Sequence, residues 1–333
     1  MTNQKLASYK WENYFTEKID LAIKDTNDTF RVYRAGADLT ESELIIFFIH
    51  GTGYTSLTWA PLIQKILLNK PKVSIYTYDL RGHGCTTVEQ ASDLRLETLT
   101  RDTTMVINQL GLNQVETPMM LIGHSLGGII AVETAKYHDQ LIEERDKSNE
   151  NEKEKENRII ENIKIVMIID IVGTSGLKAI PFMKRFYSNR KNKFQNLNEA
   201  INYALESGIS KNRMSARISV PTQLKYVEEE EKENNYFTWN FDVVSSLQYW
   251  ESWFQNLNQN FLSIKATKVL VLSNLEHMDK DITTAHMSGK FQLIPSNRAG
   301  HAVHEDVPDY LAQKTISIVN RYLKVKSMFS KKK

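Results

Sequence analysis

Residues 120–132 read MLIGHSLGGIIAV. An apolar run ends in Gly-His-Ser-Leu-Gly-Gly, and a second apolar run follows with no proline between them. The first run, within 118–124 (PMMLIGH), predicts a buried strand, and 126–137 predicts a helix. Ser125 therefore stands at a strand-to-helix junction in the pattern Gly123-x-Ser125-x-Gly127, the spacing of a nucleophile elbow. Glycines on both sides let strand and helix approach without a Cβ clash, and the sharp turn lifts the serine hydroxyl clear of the sheet. The turn also aims the Leu126 amide, at a helix N-terminus, towards a place where negative charge can develop.

Outward from this junction, short apolar runs alternate with helical periodicity. Buried strands are predicted at 44–50 (LIIFFIH), 72–79 (KVSIYTYD), 118–124, 163–170 (IKIVMIID) and 268–274 (KVLVLSN), with a weaker one at 290–295. The stretch 29–34 (TFRVYR) alternates like a half-exposed edge strand. Helices are predicted at 57–68 and 94–110 as well as at 126–137. This is the pattern of βα units around a mostly parallel sheet.

The alternation stops between residues 170 and 268, which hold helical stretches such as 198–206 and 243–261 but no convincing strand. The second stretch carries Tyr249, Trp250, Trp253, Phe254 and Phe261, so the insertion (171–265) reads as a helical cap glued to the body by aromatics. Residues 143–158 and 228–235 are charged and read as solvated surface insertions. The organisation expected is one domain over 11–325 with this cap, followed by a basic tail, 326–333.

Composition narrows the function classes. The chain has 333 residues, 41% hydrophobic and 25% charged, which suits a globular protein with a sizeable core. A formal net charge of +2 gives no electrostatic reason to expect nucleic acid or a membrane surface as partner. The single cysteine, Cys85, excludes an internal disulfide framework and agrees with a reducing compartment. No apolar run approaches the ~20 residues of a membrane span, and the opening MTNQKLASYKWENYF is too polar for a secretory signal. A cytoplasmic protein is expected; the lysine-rich end (324–333, KVKSMFSKKK) reads as a solvated helix end, with a nuclear address as the other reading.

A serine nucleophile demands a base, an orienting acid and an oxyanion hole. After LIIFFIH comes His50-Gly51-Thr52-Gly53, whose Thr52 N–H would pair with that of Leu126 as oxyanion donors. Ala299-Gly300-His301 follows the last strand and places His301 as the base, whereas His277, His286 and His304 read as surface or core residues. Two carboxylates compete for the third role. Glu276 follows the strand after the cap, and Asp170 ends a wholly apolar strand, where desolvation makes a partner necessary. Residue chemistry leaves both open. The histidines show no His-x-x-x-His or similar spacing, so no metal site is expected.

The segments WENYF, TFRVYRAG, HGTGYTSLTW, YDLRGHGCT, LETLTRD, LIGHSLGGIIAV, IIDIVGTSGLKAI, SARISVP, FTWNFDVVSSLQYWESWFQNLNQNFL, MDKDITTAHMSGKFQ and AGHAVHEDVPD together resemble protein phosphatase methylesterase. The resemblance runs from residue 11 to about 322. GHSxGG alone marks any α/β hydrolase; SARxSVP, YW-x2-WF and GKFQ…GHAVHED are far more specific. The resemblance implies an α/β-hydrolase fold and a cofactor-free esterase. Its expected substrate and partner is the catalytic subunit of protein phosphatase 2A, from whose C-terminal leucine it removes a methyl ester. It also implies that the nucleophile is Ser125, the base His301 and the acid Asp170. The sequence departs from the family at Gly173 (glutamate there), at Thr174-Ser175-Gly176 (Gly-Thr-Ala), at Leu126 (methionine) and at His286-Met287-Ser288 (Gln-Met-Gln). A general carboxylesterase or lipase, and a phosphatase-binding protein without turnover, are the two other readings.

Overall fold

The computed structural model describes residues 10–70, 72–147, 159–228 and 235–330. Its frame is an eight-stranded sheet in the order β1-β2-β4-β3-β5-β6-β9-β10. β3 (Leu44–Ile49), β4 (Val73–Tyr78), β5 (Met119–His124) and β6 (Ile163–Ile169) fall where the apolar runs predict them, as do β9 (Thr267–Leu272) and β10 (Gln292–Pro295). All six are mutually parallel. Every residue of β3, β4 and β5 is buried, the expected pattern when helices cover both faces of a parallel sheet.

One face carries α2 (Leu96–Gln109) and α3 (Leu126–Lys147); the other carries α1 (Ala60–Asn69) and the C-terminal helix α12 (Pro308–Ser330). The strand at 29–34 is not the edge. It is β2 (Thr29–Gly36), antiparallel to β4 and covered on its other side by β1 (Glu17–Ala22). The true edge strand, EKIDLA, escaped the sequence reading because none of its side chains is fully buried and its only alternating apolar pair is Ile19 and Leu21.

Between β6 and β9 the chain forms α4 (Gly173–Ser188), α5 (Leu197–Glu206) and α6 (Arg213–Ser219), then the short helices α7 (Val243–Ser246), α8 (Trp250–Phe254) and α9 (Leu257–Ser263). The expectation of no strand here is corrected. β7 (Leu224–Val227) and β8 (Tyr236–Trp239) pair as an antiparallel ribbon, each four residues long and too short to declare a period of two. The stretch 243–261 is not one helix, because Asn256 adopts a left-handed φ of 61° between α8 and α9. α10 (Lys280–Met287) and α11 (Val303–Asp306) complete the helices. The first charged insertion begins in the last turn of α3, and its residues 148–158 lie outside the described residues, as do 229–234 of the second. The basic tail continues α12 to residue 330, with 331–333 outside.

Registers place the carboxyl ends of the central strands side by side: Ile49 opposite Gly123, His124 opposite Ile169, and Ile169 opposite Val271. The residues that follow these ends, from His50, Ser125, Asp170 and Ser273, therefore share one edge. That edge is where open α/β sheets bind ligands.

Candidate active site

Ser125 adopts a φ of 52°, a left-handed conformation that a non-glycine residue holds only at a cost of about 1–3 kcal/mol. The neighbours explain how the turn persists. A Cβ on Gly123 would lie 2.1 Å from the Gly127 carbonyl oxygen, and one on Gly127 would lie 2.1 Å from that of Ile49. Only glycine permits α3 to start this close to β3 and β5. The Ser125 amide donates to the Ile169 carbonyl at 3.0 Å, which ties the turn to β6.

The imidazole of His301 meets Asp170, with Nδ1 2.8 Å from the Oδ2 carboxylate oxygen. The other oxygen, Oδ1, accepts from the Ser273 amide at 2.8 Å and the Ser273 hydroxyl at 2.6 Å. Burial opposes the charge on Asp170, but the hydrogen bond and charge of His301 and the two Ser273 bonds outweigh it and hold the carboxyl below its ordinary value. An ionised partner at Nδ1 fixes the proton there and leaves Nε2 as the basic atom. The Asp170 side chain is 4% exposed and that of His301 47%, so the carboxylate is shielded while the imidazole is open to a ligand.

Ser125 and His301 line the same cavity, although no hydrogen bond joins the Ser125 hydroxyl to His301 among the described residues. Such bonds often tighten only when substrate is bound. Glu276 is exposed, and its carboxylate accepts from the Asn274 side-chain amide at 3.2 Å; among the described residues no hydrogen bond or ion pair joins it to His301. The two carboxylates left open by the sequence are thus separated by geometry. The post-cap strand supplies Ser273 in place of an acid, and that serine holds Asp170.

Three residues that sequence reasoning missed support this arrangement. His124 Nε2 lies 3.0 Å from the His301 carbonyl oxygen and anchors the loop that presents the imidazole. His83 accepts the Gly53 amide on Nε2 at 3.0 Å, its Nδ1 facing the Arg81 carbonyl at 2.9 Å. His50 accepts the Leu80 amide at 3.0 Å. Burial lowers the pKa of all three, keeping them neutral. His83 holds the 50–53 turn through the Gly53 amide and His50 ties it to Leu80, and both Thr52 and Leu126 line the cavity. The HG and RGHG patterns were the available signal.

The cavity, about 380 Å³, is roofed by the cap: Met183 and Tyr187 from α4, Trp239 from β8, and Trp250, Trp253 and Phe254 from α8. The cap aromatics do both jobs, since Trp253 Nε1 also donates to the Leu94 carbonyl at 2.8 Å and Tyr249 to Ser92 at 3.0 Å. Among the family departures Leu126 lines the cavity, whereas Gly173 and His286 do not. At Gly176 a Cβ would sit 2.1 Å from the Phe254 ring, so a larger residue there requires that ring to shift. Among the described residues no group of three or more His, Cys, Asp or Glu could hold a metal ion, and no helix is long and apolar enough to cross a membrane.

An elbow serine, a carboxylate-held imidazole and an apolar cavity at the carboxyl edge of a parallel sheet define an ester-cleaving α/β hydrolase. Residues 46–314 match the alpha/beta hydrolase family, and the chain belongs to it. A structure of E-2-(acetamidomethylene)succinate hydrolase superposes with a TM-score of 0.66 at 16% identity, over 91% of this chain and 98% of that one. An esterase from Mycobacterium tuberculosis does so with a TM-score of 0.61 at 15% identity, over 91% and 90%. Both show the fold alone. Sequence relatives are more particular. A probable protein phosphatase methylesterase 1 of Caenorhabditis elegans is 31% identical over 98% of this chain and 81% of its own length. Protein phosphatase methylesterase 1 of Bos taurus is 30% identical over 94% and 86%, and that of Schizosaccharomyces pombe 30% over 96% and 87%. Within the hydrolases, the chain is a member of the protein phosphatase methylesterase family.

Proposed function

We propose that this protein removes the methyl ester from the C-terminal leucine of the catalytic subunit of protein phosphatase 2A, with Ser125, His301 and Asp170 as its catalytic triad. The 2.8 Å contact between His301 and Asp170 beneath a cavity that also holds Ser125 carries the reading. His301 takes the Ser125 proton as the hydroxyl attacks the ester carbonyl, and the amides of Thr52 and Leu126 receive the developing oxyanion. The C–O bond to methanol breaks as His301 returns the proton to the leaving oxygen. Water, deprotonated by the same imidazole, then attacks the acyl carbon, and the imidazolium returns that proton to Ser125 Oγ as the acyl–serine bond breaks and the carboxylate is freed. Asp170 keeps the imidazole in the productive tautomer and stabilises its charged form.

The lining supports an apolar chain end: apart from the site itself it is dominated by Phe, Trp, Tyr, Met and Ile. Phe182 and Phe186, 78% and 39% exposed at the cavity lip, suit a protein substrate whose surface continues past the scissile ester. In this reading residues 11–325 work as one hydrolase domain with 171–265 as its cap, in the cytoplasm or nucleus. Incubation with methylated phosphatase catalytic subunit, followed by intact-mass measurement, tests it. Loss of the methyl group is expected. Rapid turnover of a short chromogenic ester with no demethylation of the phosphatase would point to a general esterase instead.

A further inference from the structure

The cavity holds a charge for which the reaction has no use. Arg190, just past α4, lines the same cavity as Ser125 and His301. Its guanidinium lies 4.1 Å over the Trp239 ring and 5.3 Å over that of Tyr187. Among the described residues no Asp or Glu lines this cavity, and Arg190 makes no ion pair. The contrast within the chain is Arg81, more deeply buried, which binds Asp102 through two nitrogens at 2.5 and 2.9 Å. Burial accordingly lowers the pKa of the Arg190 guanidinium from its ordinary value, and only tyrosines and Asp242 act in the other direction.

An arginine stacked on aromatic faces keeps its in-plane N–H donors free, in the fork geometry that suits a carboxylate. A desolvated, unpaired cation in a ligand cavity is a candidate for ligand recognition. We propose that Arg190 is the anion-recognition element of this cavity and takes a carboxylate of the polypeptide whose methylated end reaches Ser125. The assignment rests on the methylesterase reading. A methyl ester is neutral, so the reacting group itself offers Arg190 nothing. The carboxylate comes either from an acidic side chain upstream of the ester or from the terminal carboxylate that hydrolysis creates.

Selectivity ratios test this without depending on overall activity. The wild type, Arg190→Met and Arg190→Lys are compared on two peptide methyl esters identical except for an aspartate or asparagine near the C-terminus. If an acidic side chain is the ligand, Arg190→Met lowers the aspartate-over-asparagine preference in kcat/KM by about tenfold or more, mostly through KM, and Arg190→Lys retains part of it. If the new terminal carboxylate is the ligand, the preference is unchanged. The free-acid peptide then inhibits p-nitrophenyl acetate hydrolysis about tenfold more weakly, relative to its C-terminal amide, in Arg190→Met. Either result supports the proposal. Both ratios unchanged in Arg190→Met overturns it. The inhibition arm needs no ester turnover of a peptide, so it reports on Arg190 even if wild type cleaves p-nitrophenyl acetate and no peptide methyl ester, the result that contradicts the methylesterase reading alone.

Discussion

In the proposed mechanism single atoms decide the chemistry at Ser125 and Asp170. Ser125→Ala removes the attacking oxygen and little else, so demethylation is expected to fall to a thousandth or less, at the order of the background left by an oxyanion hole alone. Peptide demethylation followed by mass spectrometry reads this, and retention of more activity contradicts the role. Asp170 receives His301 Nδ1 and two bonds from Ser273. Asp170→Asn offers an amide that favours the wrong imidazole tautomer and cannot stabilise the imidazolium, so turnover is expected to drop by about ten-thousandfold at matched melting temperature. Glu276, exposed and bonded to Asn274, has no such coupling, and Glu276→Gln is expected to leave turnover within a fewfold. The reverse order of damage, measured by kcat, contradicts the assignment. Which acid serves turns on which strand end faces His301, a three-dimensional fact that neither carboxylate's local sequence carries.

At the scale of elements, the turn at 50–53 is held from outside itself. His83, in the turn after β4, accepts the Gly53 amide, and its ring stacks on cap residue Phe241 at 3.7 Å between centroids. That turn is in turn clamped to α2 by the buried Arg81–Asp102 pair. His83→Phe preserves an aromatic ring for the stack but removes the acceptor. The Thr52 donor is then expected to drift, with kcat falling by about a hundredfold, the scale of a misplacement near 1 Å, and KM changing far less. Steady-state kinetics on a peptide methyl ester distinguish this from an equal loss in both parameters, the mark of general loosening. The same elements show what the sequence could reveal. β3, β4 and β5 were legible because strands buried on both faces are continuous apolar runs. β1 was not, being a solvent-facing edge, and β7 and β8 were too short. Arg190 sits in the polar stretch SNRKNKF and acquires meaning only when the cap folds it over the cavity.

For the whole molecule, buried histidines govern the response to acid. Burial lowers the pKa of His50, holds His83, His124 and His304 well below their ordinary value and sets His138 at about 4. In the unfolded chain each takes a proton near pH 6.5, so below that pH the unfolded state binds protons that the fold refuses, and stability falls as pH falls. Glu305 acts oppositely: burial raises its carboxyl to about 7 from an ordinary 4.5, so its contribution is lost as pH rises across that window. Burial raises Asp102 as well, in the same sense as Glu305. Five histidines, His50 included, outweigh two carboxyls, and the melting temperature is expected to climb between about pH 5 and pH 6.5, more steeply in Glu305→Gln. Calorimetry showing a decline over that window contradicts this balance. The central claim is acyl transfer through Ser125 at a C-terminal methyl ester, and the most direct test is to run the reaction on methylated phosphatase catalytic subunit in heavy-oxygen water. Mass spectrometry is expected to find the label in the leucine carboxylate, none in the methanol, and no reaction with Ser125→Ala; label in the methanol, or demethylation undiminished in Ser125→Ala, contradicts the account.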